Sequence, residues 1–247
     1  MGKIIAFINQ KGGVGKTTTT ASVVAGMAHL GLRTLAIDLD AQCNLTTSFG
    51  VTDFRANTYN TLKGELGLEP TKIDEHLAIL PSSVDLSAFE LEMSAEPGKE
   101  YLLKELLEPV LDQYDYILLD CSPNLGLVSI NALTAADLYI IPLLPHHLSI
   151  QGLTKLLEIT DKVKKRLNPG LKMGGIVLTQ YNNRKVLHRD IAQVVQEHFG
   201  QKLFKTVIRE NISLAEAPSS GIDIFQYAPK SNGAEDYLSL TKEIINL

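Results

Sequence analysis

Seven short apolar runs limit what this chain can become: residues 4–8, 34–37, 77–80, 116–119, 138–143, 175–178 and 204–208. They lack the polar alternation of a half-solvated strand, which predicts strands buried on both faces. Helix-like patterns separate them at residues 16–30, 99–113, 125–135, 149–167 and 186–199. Gly31 and Asn168-Pro169-Gly170 follow two of these as stop signals. This βαβα order predicts an α/β fold, a doubly wound and mostly parallel sheet flanked by helices. Residues 49–75 fit no regular pattern and are expected to be an insertion of short helices and loops. Tyr237, Leu238, Leu240, Ile244 and Ile245 recur at helical spacing, which predicts a last helix docked on the core. No repeat or linker divides the chain, so residues 1–247 are expected to form one domain.

Composition excludes several classes. Of 247 residues, 45% are hydrophobic and 21% charged, which suits a globular chain and not a disordered one. Cys43 and Cys121 are too few for a disulfide framework or a four-ligand metal site. Six scattered histidines suggest no metal site, and the adjacent His146 and His147 read as loop or packing residues. No apolar run reaches the roughly 18 residues of a membrane span. The apolar stretch after Met1 ends at Asn9, too short for a signal peptide, so a soluble cytoplasmic protein is expected.

The net charge of −5 argues against a chain that coats nucleic acid with its whole surface. It hides an asymmetry, because residues 151–230 hold 13 Lys/Arg against 7 Asp/Glu and the remainder 10 against 21. One reading is a localised anion-binding face. The other is that Lys162, Lys164, Lys165 and Arg166 complement the dipole at a helix end.

The sharpest motif is Lys11-Gly12-Gly13-Val14-Gly15-Lys16-Thr17-Thr18, placed between the first strand and the first helix. Backbone N–H groups of such a loop converge on a polyphosphate, and glycines let the backbone approach closely. The helix N-terminus adds its positive dipole end. Lys16 is expected to bridge the terminal phosphates and the Thr17 hydroxyl to ligate Mg²⁺. Asp38 and Asp40 close the second strand-like run, where alternation places both carboxylates on one side. Asp120 ends the hydrophobic run Tyr116-Ile117-Leu118-Leu119, an arrangement suited to holding Mg²⁺ through water. Without the phosphate loop, such aspartates also read as simple caps.

A second lysine, Lys11, sets the loop apart from the ordinary pattern. Here it resembles the deviant Walker A motif Lys-Gly-Gly-x-Gly-Lys-Thr of the ParA/Soj branch of the ParA–MinD ATPases. The resemblance covers almost the whole chain. It implies a P-loop NTPase that binds ATP and Mg²⁺ and hydrolyses ATP slowly unless stimulated. Residues Lys11 to Thr18 would hold the nucleotide, and Thr17, Asp40 and Asp120 the metal. In the family the extra lysine crosses a dimer interface to the partner's nucleotide, so Lys11 implies an ATP-dependent homodimer. Two stacked polyphosphates repel unless cations neutralise them, and a lysine offered in trans does so only in the dimer. Lys11, Lys16 and Asp40 are then the catalytic set, with Asp40 orienting water.

The chain departs from the family pattern in places. Asp-x-Asp-Pro-Gln becomes Asp38-Leu39-Asp40-Ala41-Gln42, and Cys43 stands where glycine is frequent. Cys-Pro-Pro-Ser becomes Cys121-Ser122-Pro123-Asn124, with Cys121 read as a small buried residue and Ser122 and Asn124 near the γ-phosphate. Pro-Arg-Asn, which borders adenine in relatives, becomes Arg209-Glu210-Asn211. Only Asn211 matches, as a base contact or as an ordinary turn residue. Arg184 matches an arginine that many relatives use on DNA phosphates, while Ser213 replaces a second one. Lys185, Arg189, Lys202, Lys205 and the Lys162–Arg166 cluster are candidates to compensate, through phosphate contact without base readout.

The resemblance therefore implies a partitioning ATPase that is nucleoid-associated, binds DNA non-specifically and answers to a ParB-like partner. Two alternatives share the loop. A MinD-like membrane-positioning ATPase would want a basic amphipathic tail, whereas Glu235, Asp236 and Glu243 outnumber Lys242 here. A metabolic ligase or iron-protein reductase would need a substrate pocket or paired cysteines.

Overall fold

Alternation along β1 (Lys3–Phe7) sends Ile5 and Phe7 to one side of a sheet and Ile4 and Ala6 to the other. Both sides are dry, which is why the apolar runs lack polar alternation. The structure is a computed structural model that describes residues 2–247. Six further strands join β1: β2 (Thr34–Leu39), β3 (Thr71–Lys72), β4 (Leu77–Leu80), β5 (Tyr116–Cys121), β6 (Leu138–Leu143) and β7 (Lys172–Leu178). Their order is β3-β4-β2-β5-β1-β6-β7, parallel except for the β3–β4 pair. The chain moves outward from β1 toward β2 and later crosses to β6 on the opposite flank. Ligands bind at such reversals, beyond the carboxyl ends of the strands.

Helices α1 (Lys16–His29) and α11 (Asn232–Ile245) cover the side of Ile5 and Phe7. The other side takes α5 (Leu102–Leu107), α6 (Leu127–Ala135), α7 (His147–Arg166) and α8 (Val186–Phe199). Short helices α2 (Asn44–Ser48), α3 (Thr58–Leu62), α4 (Phe89–Glu92), α9 (Ser213–Glu216) and α10 (Ile224–Tyr227) fill the connections. Helix α1 is enclosed between sheet and α11, so it needs no polar face. Two of its threonine hydroxyls are satisfied internally, Thr19 with the Tyr237 hydroxyl at 3.1 Å and Thr20 with the Lys16 carbonyl at 3.0 Å. The last helix is docked as expected: the Ser231 hydroxyl caps it, and Tyr237, Leu240 and Ile244 are buried.

Three departures have local causes. Residues 204–208 run beside β7 but form no ladder of their own. The N–H groups of Phe204 and Ile208 bond the Ile176 and Leu178 carbonyls, yet the Glu243 carboxylate takes those of Lys205 and Thr206. Within residues 99–113 only Leu102–Leu107 is α-helical, and a 3₁₀ turn over Glu108–Val110 follows. Asn131 fixes the start by accepting from the Leu103 N–H and donating to the Lys99 carbonyl. Pro109 lacks the N–H that would continue the helix. Residues 49–75 hold α3 as expected, and also the short antiparallel β3.

Candidate functional site

The loop between β1 and α1 is braced at both ends. Asn9 is buried, donates to the Pro142 carbonyl at 2.8 Å, and accepts from the Lys11 N–H at 3.1 Å. Across the loop, the Thr179 hydroxyl donates to the Val14 carbonyl at 2.8 Å and the Gln180 amide to the Gly13 carbonyl at 3.1 Å. Gly13 and Gly15 have φ of 73° and 81°, which a side chain would resist. With its backbone fixed, the loop leads straight into the α1 N-terminus, an arrangement suited to an anion. The Lys16 ammonium is buried and curls to within 3.4 Å of the Lys11 carbonyl. Burial lowers its pKa, and Asp120, Cys121 and Asp40 oppose that shift. The ammonium of Lys11 has no hydrogen bond or ion pair among the described residues.

The three aspartates have different surroundings. Asp38 is fully buried and saturated, accepting from the Asp40 N–H at 3.1 Å, the Thr46 N–H at 2.9 Å and the Thr46 hydroxyl at 2.7 Å. It ties the end of β2 to α2 and has little left for a ligand. Asp40 lies just past β2, half-buried, with one oxygen accepting from the Gln42 N–H at 3.0 Å. The turn that holds it closes through the Cys43 N–H and the Asp40 carbonyl at 2.9 Å. Cys43 itself has φ of 55°, the left-handed region that glycine enters freely. Asp120 is fully buried at the end of β5 and accepts from the Thr20 hydroxyl at 3.1 Å through Oδ1. Its Oδ2 has no hydrogen-bond partner among the described residues. Burial first, and Asp38 second, push its pKa up to about 7, while Thr17, Lys16 and Thr20 pull the other way.

A cleft of about 540 Å³ opens directly from Gly15 and Thr18. Its far wall is the segment Ile208 to Ile212, with Tyr237 beneath. Asn211 stands in this wall, but its Oδ1 accepts from the Ser213 N–H at 2.8 Å, so part of its side chain is committed to the turn. Arg209 also lines the cleft, but its Nε and Nη2 grip Asp236 while Nη2 also reaches Glu235 at 2.7 Å. This anchors the wall to α11. Cys121 is buried and its thiol pKa is raised by desolvation, consistent with a packing role. Ser122 and Asn124 lie in the loop after β5, bonded to one another through the Ser122 hydroxyl and the Asn124 carbonyl.

The basic residues divide between two edges. Arg184, Lys185 and Arg189 follow β7 at the carboxyl edge of the sheet, the same edge as the phosphate loop. All three are exposed. Lys202 donates to the Met173 carbonyl at 2.9 Å, and Lys205 is exposed beside β7. Lys162, Lys164, Lys165 and Arg166 end α7, at the opposite edge. Twenty residues of helix span about 30 Å, so this cluster forms a separate surface from Arg184.

A family model described as an AAA domain matches residues 2–173. The sporulation initiation inhibitor protein Soj of Bacillus subtilis is 41% identical over 250 residues, covering 99% of this chain and 98% of that protein. The chain belongs to the ParA/Soj family of P-loop ATPases. Solved structures repeat the architecture of this ParA/Soj chain. A cobyrinic acid a,c-diamide synthase from Mycobacterium smegmatis, with bound ATP analogue and magnesium, gives a TM-score of 0.88 at 30% identity, covering 100% of this chain and 95% of that one. The septum site-determining protein MinD from Pyrococcus horikoshii, complexed with Mg-ADP, gives 0.81 at 30% identity, covering 99% and 96%.

The residues of this ParA/Soj chain fit a magnesium nucleotide. The unpartnered, buried Oδ2 of Asp120 is an acceptor that a hydrated cation would satisfy. Several contributors escaped the sequence reading. Thr20 lies one helical turn past Lys16 and Thr17, a spacing that signals a shared face. Thr179 and Gln180 carried no such signal, since only the tertiary fold brings β7 against the loop. Gln180 has φ of 49°, strain that its hydrogen bond to Gly13 helps to hold.

Proposed function

We propose that residues 1–247 act as one ParA-type positioning ATPase unit that binds ATP and Mg²⁺, pairs with a second copy, and associates non-specifically with DNA. The observation that carries this reading is Lys11. It stands at the mouth of a braced phosphate loop, and its charge is uncompensated within the described chain. Lys16 would neutralise the terminal phosphates of its own nucleotide. Lys11 would serve the nucleotide of the second copy, linking dimerisation to the triphosphate. Thr17 and Asp120 would hold Mg²⁺, which when bound offsets charge on the phosphate oxygens. Asp40 keeps its second oxygen unengaged among the described residues and would orient the water that attacks the terminal phosphorus. Hydrolysis is then slow in one copy and awaits both the dimer and a stimulating, ParB-like partner. The cleft beyond Thr18 would take the nucleoside, with Asn211 beside the base.

Arg184 and Lys205 would meet DNA phosphates directly, with Lys185 and Arg189 beside them already engaged by Glu210 and the Asn183 carbonyl, and two copies would double that footprint. Association with the nucleoid follows from such binding. A MinD-like membrane role is less well supported, since α11 uses its apolar residues Tyr237, Leu240 and Ile244 against the core. The test is a salt titration of duplex DNA binding with ADP and with a non-hydrolysable ATP analogue. Binding only with the analogue, with a steep loss on adding salt, supports the proposal. No binding at low salt in either state overturns it. Flotation with anionic liposomes would then point to a membrane role, and turnover that requires a small acceptor would point to a metabolic enzyme.

A further inference from the structure

Glu210 belongs to two walls at once. It lines the cleft beside the phosphate loop, and also a groove formed with Tyr181, Asn182, Asn183 and Arg184. In that groove its carboxylate pairs with the Lys185 ammonium and accepts from the Asn182 amide at 3.1 Å. Its own N–H donates to the Tyr181 carbonyl at 3.3 Å. The carboxyl is held below its ordinary pKa, by Lys185 first and Asn182 second. The third cation nearby is also engaged, for Arg189 donates from Nη1 to the Asn183 carbonyl at 2.7 Å. Arg184 keeps its guanidinium without a partner among the described residues.

We propose that Glu210 is a built-in counter-charge that withholds Lys185 from nucleic-acid phosphate, leaving Arg184 as the free cation of this loop in each copy. The inference rests on the DNA-binding reading above and concerns its regulation. Counterion release, which drives such binding, counts only the cations that reach phosphate. A lysine held by a carboxylate must first give up that partner, and the freed carboxylate then repels the phosphates. Both side chains are about half exposed, at 49% and 45%, so solvent and salt screen the pair. It is a weak lock, which lowers affinity without abolishing it. The carboxylate is not placed there by chance mobility. Its neighbour Arg209 is gripped by Asp236 and Glu235, which fixes the backbone, and Asn182 orients the carboxylate. One copy of the chain therefore binds DNA poorly, and the joined pair gains most from acting together.

The test uses the full chain on duplex DNA, with salt titrations in ADP and in a non-hydrolysable ATP analogue. Nucleotide occupancy is followed with a fluorescent analogue in the same samples, because Glu210 also borders the cleft. Glu210→Gln keeps the shape and removes the charge. It should tighten binding on the order of tenfold at low salt and steepen the dependence of log K on log salt by about 0.9 per loop. Lys185→Ala should change the unmodified chain little, whereas Arg184→Ala should flatten its slope. The gain from Glu210→Gln should vanish when Lys185→Ala is added. The proposal falls if Glu210→Gln leaves affinity and slope unchanged, or if its gain survives in the double variant. It also falls if Lys185→Ala alone weakens binding as much as Arg184→Ala. Should all forms leave DNA unbound at low salt with the ATP analogue, the DNA reading itself fails and this inference with it.

Discussion

Asp38 and Asp120 stand opposite one another on adjacent strands, and hydrogen bonds saturate only the first. Both are fully buried. Burial is the main cause that pushes Asp38 up to about 6 and Asp120 to about 7. The difference in hydrogen bonding separates a carboxylate that secures a turn from one that has an oxygen to offer.

A pH dependence of the metal-free protein follows. Both folded pKa values lie above the ordinary value of 3.8, so between that value and about 7 the folded state binds more protons than the unfolded state. Stability from these groups is present at low pH and falls as pH rises through 6 to 7. Between pH 5 and pH 8 the expected loss is up to about 4 kcal/mol. Thermal unfolding in chelator at pH 5 and pH 8 measures it. Asp120→Asn should flatten the dependence, and Mg²⁺ with nucleotide should restore stability at pH 8. A stability that instead rises steadily from pH 5 to pH 8 would contradict these shifts.

The two lysines of the loop should separate cleanly by substitution. Lys16→Ala removes the charge proposed to meet the terminal phosphates and should raise the nucleotide dissociation constant on the order of 100-fold, about 2.7 kcal/mol. Lys11→Ala should retain nucleotide and lose the ATP-dependent dimer. Asp40→Ala should retain ATP and accumulate the dimer because hydrolysis stalls. Equilibrium nucleotide titration, light scattering and phosphate release distinguish these outcomes. Normal turnover by Asp40→Ala would remove that residue from its assigned role.

Much of the fold was legible because a buried parallel sheet writes apolar runs without polar alternation into the sequence, as in β2 and β5. The short antiparallel β3 has two residues and no apolar signature, so it passed as loop. Residues 204–208 carry the pattern of a strand, but a distant carboxylate, Glu243, takes the N–H groups that a ladder needs. The loop from Lys11 to Thr18 was legible because its glycines and lysines act locally. The roles of Gln180, Arg209 and Glu210 were not, since each depends on a partner brought near only by folding. Cys43 is intermediate: its departure from the frequent family glycine was visible, but the left-handed φ of 55° that explains the glycine was not.

Arg209 should matter through Asp236. The carboxylate is nearly buried and holds both the guanidinium and the Arg209 N–H, the latter at 2.9 Å. Asp236→Asn removes the charge and should cost about 1–2 kcal/mol, discounted because the guanidinium is 42% exposed. The cleft wall would loosen with it. A lowered melting temperature together with weaker nucleotide binding is expected. Unchanged nucleotide affinity at a lowered melting temperature would mean that the clamp serves stability alone.

The contact between α1 and α11 gives the most direct check on packing. A Cβ at Gly26 would come within 2.6 Å of Thr241 Oγ1 and 3.3 Å of Phe225 Cζ. Thr241 is fully buried and donates to the Tyr237 carbonyl at 2.7 Å, so it has no room to withdraw. Gly26→Ala gains up to about 1 kcal/mol of helix propensity. Overpacking costs about 1–3 kcal/mol, and with a contact this short the upper part of that range applies. The net effect should be a loss of about 1–2 kcal/mol, lowering the melting temperature by roughly 2–4 °C per kcal/mol. Adding Thr241→Ala removes the hydroxyl that the new methyl meets, so the double variant should be more stable than the sum of the single effects. Strict additivity, or a Gly26→Ala protein more stable than the parent, would show that the two helices are not packed this closely.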